Sequence, residues 1–220
     1  MNREEIKKRI IEIGVLPVVR ASSSQEAKLA VEAVYQGGIS VVEITMTVPG
    51  AIEIIRELSK ARGSDVLIGA GTVLDAEAAR RCLDAGAQFI VSPGIDLETM
   101  ALVLKEGKVM MPGALSPSEI ISAWRAGADF VKVFPCGAVG GAKYIKALKG
   151  PLPQIPLVPT GGVNLETAAD FILAGSEALG VGGELVQTAA LKAGKPEVIA
   201  EAARKFIEIV QQARASRESR

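Results

Sequence analysis

Phe130-Val131-Lys132-Val133-Phe134 is a short run of β-branched and aromatic residues. Ala126-Gly127-Ala128 stands just before it, and Ser116-Pro117-Ser118-Glu119 opens an amphipathic stretch that reaches Arg125. A capping hydroxyl, a first-turn proline and an acid start that stretch as a helix; a glycine stops it. The run that follows is the kind a buried parallel strand uses. Together they form one helix–glycine–strand unit.

The unit recurs at Ala85-Gly86-Ala87 and Ala174-Gly175-Ser176. Gly37 and Gly107 also stand just before a strand-like run. Eight runs alternate with helical stretches: Leu16–Arg20, Val41–Thr45, Val66–Ala70, Phe89–Ser92, Val109–Pro112, Phe130–Phe134, Leu157–Thr160 and Ala178–Val181. Ser22-Ser23-Ser24 caps a helix over Ala27–Tyr35, and Asp75 caps Ala76–Asp84. Such alternation predicts a parallel α/β sheet. The expectation is a (β/α)8 TIM barrel with an extra N-terminal helix at Glu4–Ile13; a doubly wound open sheet is the alternative. Pro196–Arg214 reads as the last helix, and the polar tail Ser216–Arg220 as a frayed end. With no linker or composition shift, residues 1–220 read as a single domain.

At 220 residues the chain is short for such a barrel, which usually takes about 250. Its apolar fraction of 49 % is enough for a sizeable core. Lys plus Arg and Asp plus Glu both number 25, so net charge gives no case for nucleic acid or an anionic membrane. The charged start Met1-Asn2-Arg3-Glu4-Glu5 has no apolar signal region, and no apolar run approaches the roughly 18 residues of a membrane span. Cys82 and Cys136 read as free thiols of a reducing, cytoplasmic compartment. Histidine is absent, which removes catalytic imidazole and histidine-ligated metals. No metal or organic cofactor is expected.

In such a barrel the chemistry sits at the C-terminal ends of the strands. Strand residues alternate in direction, so Lys132 shares a face with Phe130 and Phe134, while Val131 and Val133 face helices. Likewise Glu43 lies opposite Val42 and Ile44. A lysine and a glutamate therefore interrupt apolar strands and meet in a poorly solvated interior. There an amine can attack a ketone, and a carboxylate can move protons. The bland reading is a buried structural ion pair, which is a poor stabiliser.

Thr160-Gly161-Gly162 and Gly182-Gly183 end the seventh and eighth runs, where such barrels commonly bind phosphate through backbone N–H groups. Gly140-Gly141 reads as a turn. Thr72 can bond a carboxylate or carbonyl, or merely satisfy a helix start. Arg20 is either a ligand for a substrate anion or a rim arginine. Pro93 and Phe134 offer an apolar wall. Trp124 reads as core or subunit contact.

Val42-Glu43-Ile44-Thr45, Gly69-Ala70-Gly71-Thr72-Val73-Leu74, Val91-Ser92-Pro93-Gly94, Met111-Pro112-Gly113, Lys132-Val133-Phe134-Pro135, Lys146–Pro151 and Pro159-Thr160-Gly161-Gly162-Val163 occur in this order. The set resembles the 2-keto-3-deoxy-6-phosphogluconate (KDPG) and 4-hydroxy-2-oxoglutarate (KHG) aldolases over nearly the whole chain. The resemblance implies a metal-free, cytoplasmic homotrimeric barrel for Entner–Doudoroff carbohydrate metabolism. It implies a class I lyase that splits a small 2-keto acid, KDPG, into pyruvate and glyceraldehyde 3-phosphate, or KHG into pyruvate and glyoxylate. Lys132 would form the Schiff base and Glu43 would move protons. Thr72 and Arg20 would meet anionic groups, and Gly161, Gly162, Gly182 and Gly183 the phosphate.

Two positions depart from the pattern. Thr47 stands where some members have an arginine. Gly183, followed by Glu184, stands where a serine is frequent. Both changes weaken the expected hold on phosphate. The 2-keto-3-deoxy-6-phosphogalactonate aldolases share the pattern and stay open. So do a phosphate-binding isomerase, epimerase or synthase that needs no reactive amine, and a non-catalytic, oligomer-forming barrel.

Overall fold

In the computed structural model, which describes residues 1–218, the eight expected runs become nine strands. They are β1 (Val15–Val19), β2 (Val41–Thr45), β3 (Leu67–Gly71), β4 (Phe89–Val91), β5 (Val109–Met111), β6 (Gly113–Ala114), β7 (Val131–Val133), β8 (Leu157–Pro159) and β9 (Leu179–Val181). The fifth run gives β5 as far as Met111, and the unexpected β6 follows beyond Pro112, which lacks the N–H a ladder needs. β5 pairs with β4, and β6 with β7.

The helices are α1 (Arg3–Ile13), α2 (Ser24–Gln36), α3 (Ala51–Arg62), α4 (Ala76–Asp84), α5 (Leu97–Lys105), α6 (Pro117–Arg125), α7 (Ala142–Lys149), α8 (Ala168–Leu173), α9 (Thr188–Lys192) and α10 (Pro196–Glu218). The expected caps form: Ser23 on α2, Asp75 on α4, and a reciprocal Ser116–Glu119 capping box on α6. Gly140 and Gly141 make the turn into α7, as expected, with φ of 114° and 60°. The last helix does not end at Arg214; it runs on through Ser216 to Glu218. For the expected frayed tail this is a correction as far as Glu218, and Ser219 and Arg220 lie outside the described residues.

All ladders are parallel, in the orders β5-β4-β3-β2-β1-β9 and β6-β7-β8. The two sheets adjoin at Pro112, and a parallel bridge links Thr160 to Gly180. Neighbours step by one along the chain until β1 meets β9. A doubly wound sheet would reverse its order at a switch point instead. The result is a curled parallel α/β sheet of TIM-like form.

Side-chain alternation divides the core into two layers. Val42, Ile44, Ile68, Ile90, Val131 and Val133 pack outward under the helices, with half-buried Trp124 among their neighbours. Leu16, Val41, Leu67, Phe89, Val109, Phe130 and Val158 fill the inner face together with Ile6 and Ile10 of α1. Those two isoleucines, one helical turn apart, are 0 % and 1 % exposed and are worth roughly 1.5–3 kcal/mol each as an upper estimate.

Charge fastens the same helix across the N-terminal edge of the strands. Arg3 Nε donates to both oxygens of Asp129 at 2.9 and 3.0 Å, and its Nη2 to the Gly127 carbonyl at 3.0 Å. Asp129 also accepts the Met110 N–H at 3.0 Å.

Candidate active site

Because the strands are parallel, their C-terminal ends share one edge of the sheet. Every residue expected to act on substrate lies there. Arg20 follows β1, Thr47 follows β2, Thr72 follows β3 and Pro93 follows β4. Phe134 follows β7, Thr160-Gly161-Gly162 follow β8, and Gly182-Gly183 follow β9.

Lys132 and Glu43 reach the inner face as alternation predicts, since the valines beside Lys132 sit in the outer layer. In register, Lys132 lies between Gly113 and Val158, and Glu43 between Val18 and Gly69. Lys132 is 4 % exposed and Glu43 1 %. Lys132 Nζ stands 5.2 Å from the centre of the Phe134 ring, close enough for cation–π attraction. The bland reading, a direct ion pair, does not form: the ion pairs of the described residues include none between Lys132 and Glu43.

Glu43 Oε1 is buried and accepts no hydrogen bond. Burial raises the Glu43 carboxyl above its ordinary value of 4.5, while the Lys132 and Arg20 cations act in the opposite sense and lose. A buried carboxylate with an open lone pair and two cations in range is poised to take up or release a proton.

Around this pair the edge is polar and tightly shaped. Thr45 donates its hydroxyl to the Val19 carbonyl at 3.1 Å. The 2.7 Å contact between the Thr45 and Thr47 hydroxyls therefore has Thr47 as donor. Thr72 takes φ 58°, the one positive value among described residues other than glycine. For a β-branched residue this conformation costs on the order of 1–3 kcal/mol. Strain of that kind is expected where a hydroxyl must be aimed.

Cavities open on this edge. One of about 410 Å³ brings Arg20 together with Gly183, Gln187 and Thr188. Another of about 330 Å³ brings Pro93 together with Phe134, Gly113 and Glu119. Gly161 and Gly162 take φ of 88° and 78°, which bares their backbone, and Gly182 and Gly183 have open space where a side chain would stand.

Sequence reasoning missed the work of the strand glycines. A Cβ at Gly69 would fall 2.2 Å from the Phe89 ring, one at Gly180 2.2 Å from Thr160 Oγ1, and one at Gly71 1.8 Å from Glu43 Oε1. Glycines spaced two apart in a strand were the available signal, because they bare one face. Both cysteines are free and buried, and burial pushes their thiols up to about 11, so neither is a ready nucleophile.

A family model described as KDPG and KHG aldolase matches residues 6–202. The chain is 37 % identical over 161 residues to the 2-dehydro-3-deoxy-phosphogluconate aldolase of Pseudomonas aeruginosa, 73 % of each chain. It is 34 % identical over 196 residues to the KHG/KDPG aldolase of Escherichia coli, 88 % of this chain and 91 % of that one. A solved KDPG aldolase from Legionella pneumophila, with pyruvate captured as a covalent carbinolamine, matches with a TM-score of 0.84 at 31 % identity, over 91 % of this chain and 97 % of that one. The matched span contains both strands that carry the inward lysine and glutamate, and the chain belongs to the KDPG and KHG aldolase family, whose members are carbon–carbon lyases.

Proposed function

We propose that this chain is a class I aldolase that cleaves KDPG to pyruvate and glyceraldehyde 3-phosphate, and KHG to pyruvate and glyoxylate. The carrying observation is a buried lysine within the electrostatic range of a buried, unpaired glutamate, both on the inner face of the sheet.

Lys132, as the free amine, attacks the substrate C2 carbonyl. The carbinolamine loses water to give a protonated imine. Glu43 takes the proton from the C4 hydroxyl. The C3–C4 bond breaks, its electron pair moves into the imine, and the aldehyde leaves. The enamine takes a proton at C3 from Glu43, and water releases pyruvate and the amine.

Thr72 and Thr47 receive the carboxylate end. Pro93 and Phe134 wall the reacting carbons. Arg20, Thr160, Gly161, Gly162, Gly182 and Gly183 receive the phosphate. No arginine stands at Thr47, and Glu184 is exposed beside Gly183, so this chain holds phosphate with the glycine N–H groups, the Thr160 hydroxyl and Arg20.

The strands of the single domain close as an eight-stranded barrel, with β5 and β6 as halves of its fifth strand; the Thr160–Gly180 bridge supports that closure. A homotrimer is supported by Leu74 and Leu97, large apolar side chains left 64 % and 62 % exposed. Cytoplasmic residence, in Entner–Doudoroff metabolism, fits two unpaired buried thiols. Among the described residues no helix is long and apolar enough to cross a membrane.

Borohydride trapping with pyruvate, followed by peptide mass spectrometry, tests the mechanism. A reduced pyruvyl adduct on Lys132 is expected. A folded protein with no adduct anywhere removes the Schiff-base reading and favours a barrel enzyme that uses no amine.

A further inference from the structure

Gly69 and Gly71 share the inner face of β3, and neither needs to be glycine for its backbone, since neither takes a positive φ. What they supply is room. The space beside Gly69 is filled by the Phe89 ring from β4. The space beside Gly71 is filled from the opposite side by Glu43 of β2. A Cβ at Gly71 would stand 1.8 Å from Glu43 Oε1, 2.3 Å from its Cδ and 2.6 Å from its Cγ. No such contact is tolerable, so one partner must move. At Gly69 the obstacle is a stiff ring in the core. At Gly71 it is the far end of a flexible side chain, so the carboxylate yields and the strand stays.

We propose that Gly71 is a positioning residue for the aldolase reaction: its missing side chain seats the Glu43 carboxylate on the inner face of the sheet, beside Lys132. The inference rests on the proton-transfer role given to Glu43 above. The seat matters because nothing else grips the buried oxygen. Glu43 Oε1 has no hydrogen-bond donor, so its place is set by shape and by the field of Lys132 and Arg20. An alanine at 71 turns the carboxylate out of that place and leaves Lys132 where it is. A misplacement of about 1 Å at a reacting group can cost on the order of 10²-fold in rate.

The test is a kinetic cycle of Gly71→Ala, Glu43→Gln and the double variant, with pyruvate trapping on each. Gly71→Ala should lower kcat by about 100-fold with KM within about threefold, and still trap pyruvate on Lys132. The double variant should be no slower than Glu43→Gln by more than about threefold, because the seat is useless without a carboxylate. Multiplying defects, or a Gly71→Ala enzyme within about threefold of the parent, overturn the proposal.

If Gly71→Ala does not fold, Glu43→Ala is compared with Glu43→Ala/Gly71→Ala. Alanine at 43 removes the Cγ, Cδ and Oε1 that the new Cβ would meet, so the pair should fold and trap pyruvate alike. A pair that still fails to fold shows that β3 itself needs the glycine, and the proposal falls. Failure of the underlying reading looks different: the parent enzyme then traps no pyruvate at all.

Discussion

The two edges of the sheet treat a buried carboxylate in opposite ways. At the N-terminal edge, Asp129 receives Arg3 Nε on both oxygens and the Met110 N–H, with Lys7 Nζ 3.7 Å away. At the C-terminal edge, Glu43 is as deeply buried, yet one oxygen has no hydrogen bond and its nearest cations are not in contact. Asp129 sits where satisfied charge fastens a helix to the core. Glu43 keeps an unsatisfied lone pair, which the proposed mechanism uses for proton transfer. Burial alone therefore does not distinguish a structural acid from a working one; its hydrogen-bond count does.

The largest test of this contrast is Lys132→Arg. A guanidinium stays protonated and forms no imine, so turnover and pyruvate trapping should both vanish. Turnover near the parent rate removes Lys132 from the chemistry.

Glu43→Gln should slow turnover by about 10²–10⁴-fold. It should also raise the melting temperature at neutral pH. The sign follows from linkage: burial raises the native Glu43 pKa above 4.5, so the native state binds its proton more tightly than the unfolded chain. As pH climbs from the ordinary carboxylate value through the raised one, Glu43 lowers stability. Glutamine carries no such cost, and its advantage should shrink in acid below that window. A variant that melts lower at neutral pH would place Glu43 with Asp129 among the structural acids.

Asp129→Ala should do the reverse of the glutamate change. It strands the Met110 N–H and leaves Arg3 only its bond to the Gly127 carbonyl, which costs about 1–3 kcal/mol of stability. Steady-state kcat at 25 °C should hold. A matching fall in kcat would mean that the two edges are coupled.

The smallest effect is expected at Gly183→Ser, where open space accepts the side chain. One added hydrogen bond to phosphate should lower KM for KDPG by about three- to tenfold and leave KM for KHG unchanged. Equal changes on both substrates would move the phosphate away from Gly183.

Much of this was legible in the chain. A period of two in Phe130–Phe134 and Val41–Thr45 put Lys132 and Glu43 on the same side as their aromatic and aliphatic neighbours, because a strand has only two faces. Capping residues and glycines marked where Ser116, Asp75 and Gly127 begin or end helices. Other features were not legible. Pro112 reads as the last residue of a run, yet it divides one strand between two ladders, and only the partners on either side reveal that. The absence of a Lys132–Glu43 ion pair depends on side-chain reach across the curled sheet. Asp129 looks like any polar residue ahead of a strand until Arg3, more than a hundred positions earlier, is folded against it.

The sequence by itself determined the periodicity, the strand and helix alternation, and the pair of titratable residues in apolar strands, since these rest on local backbone geometry and on what water excludes. The tertiary structure alone decided which carboxylate is satisfied, how Thr72 is strained and whose side chain fills the space above Gly71. Those are distances between residues remote in the chain, and no local pattern encodes them.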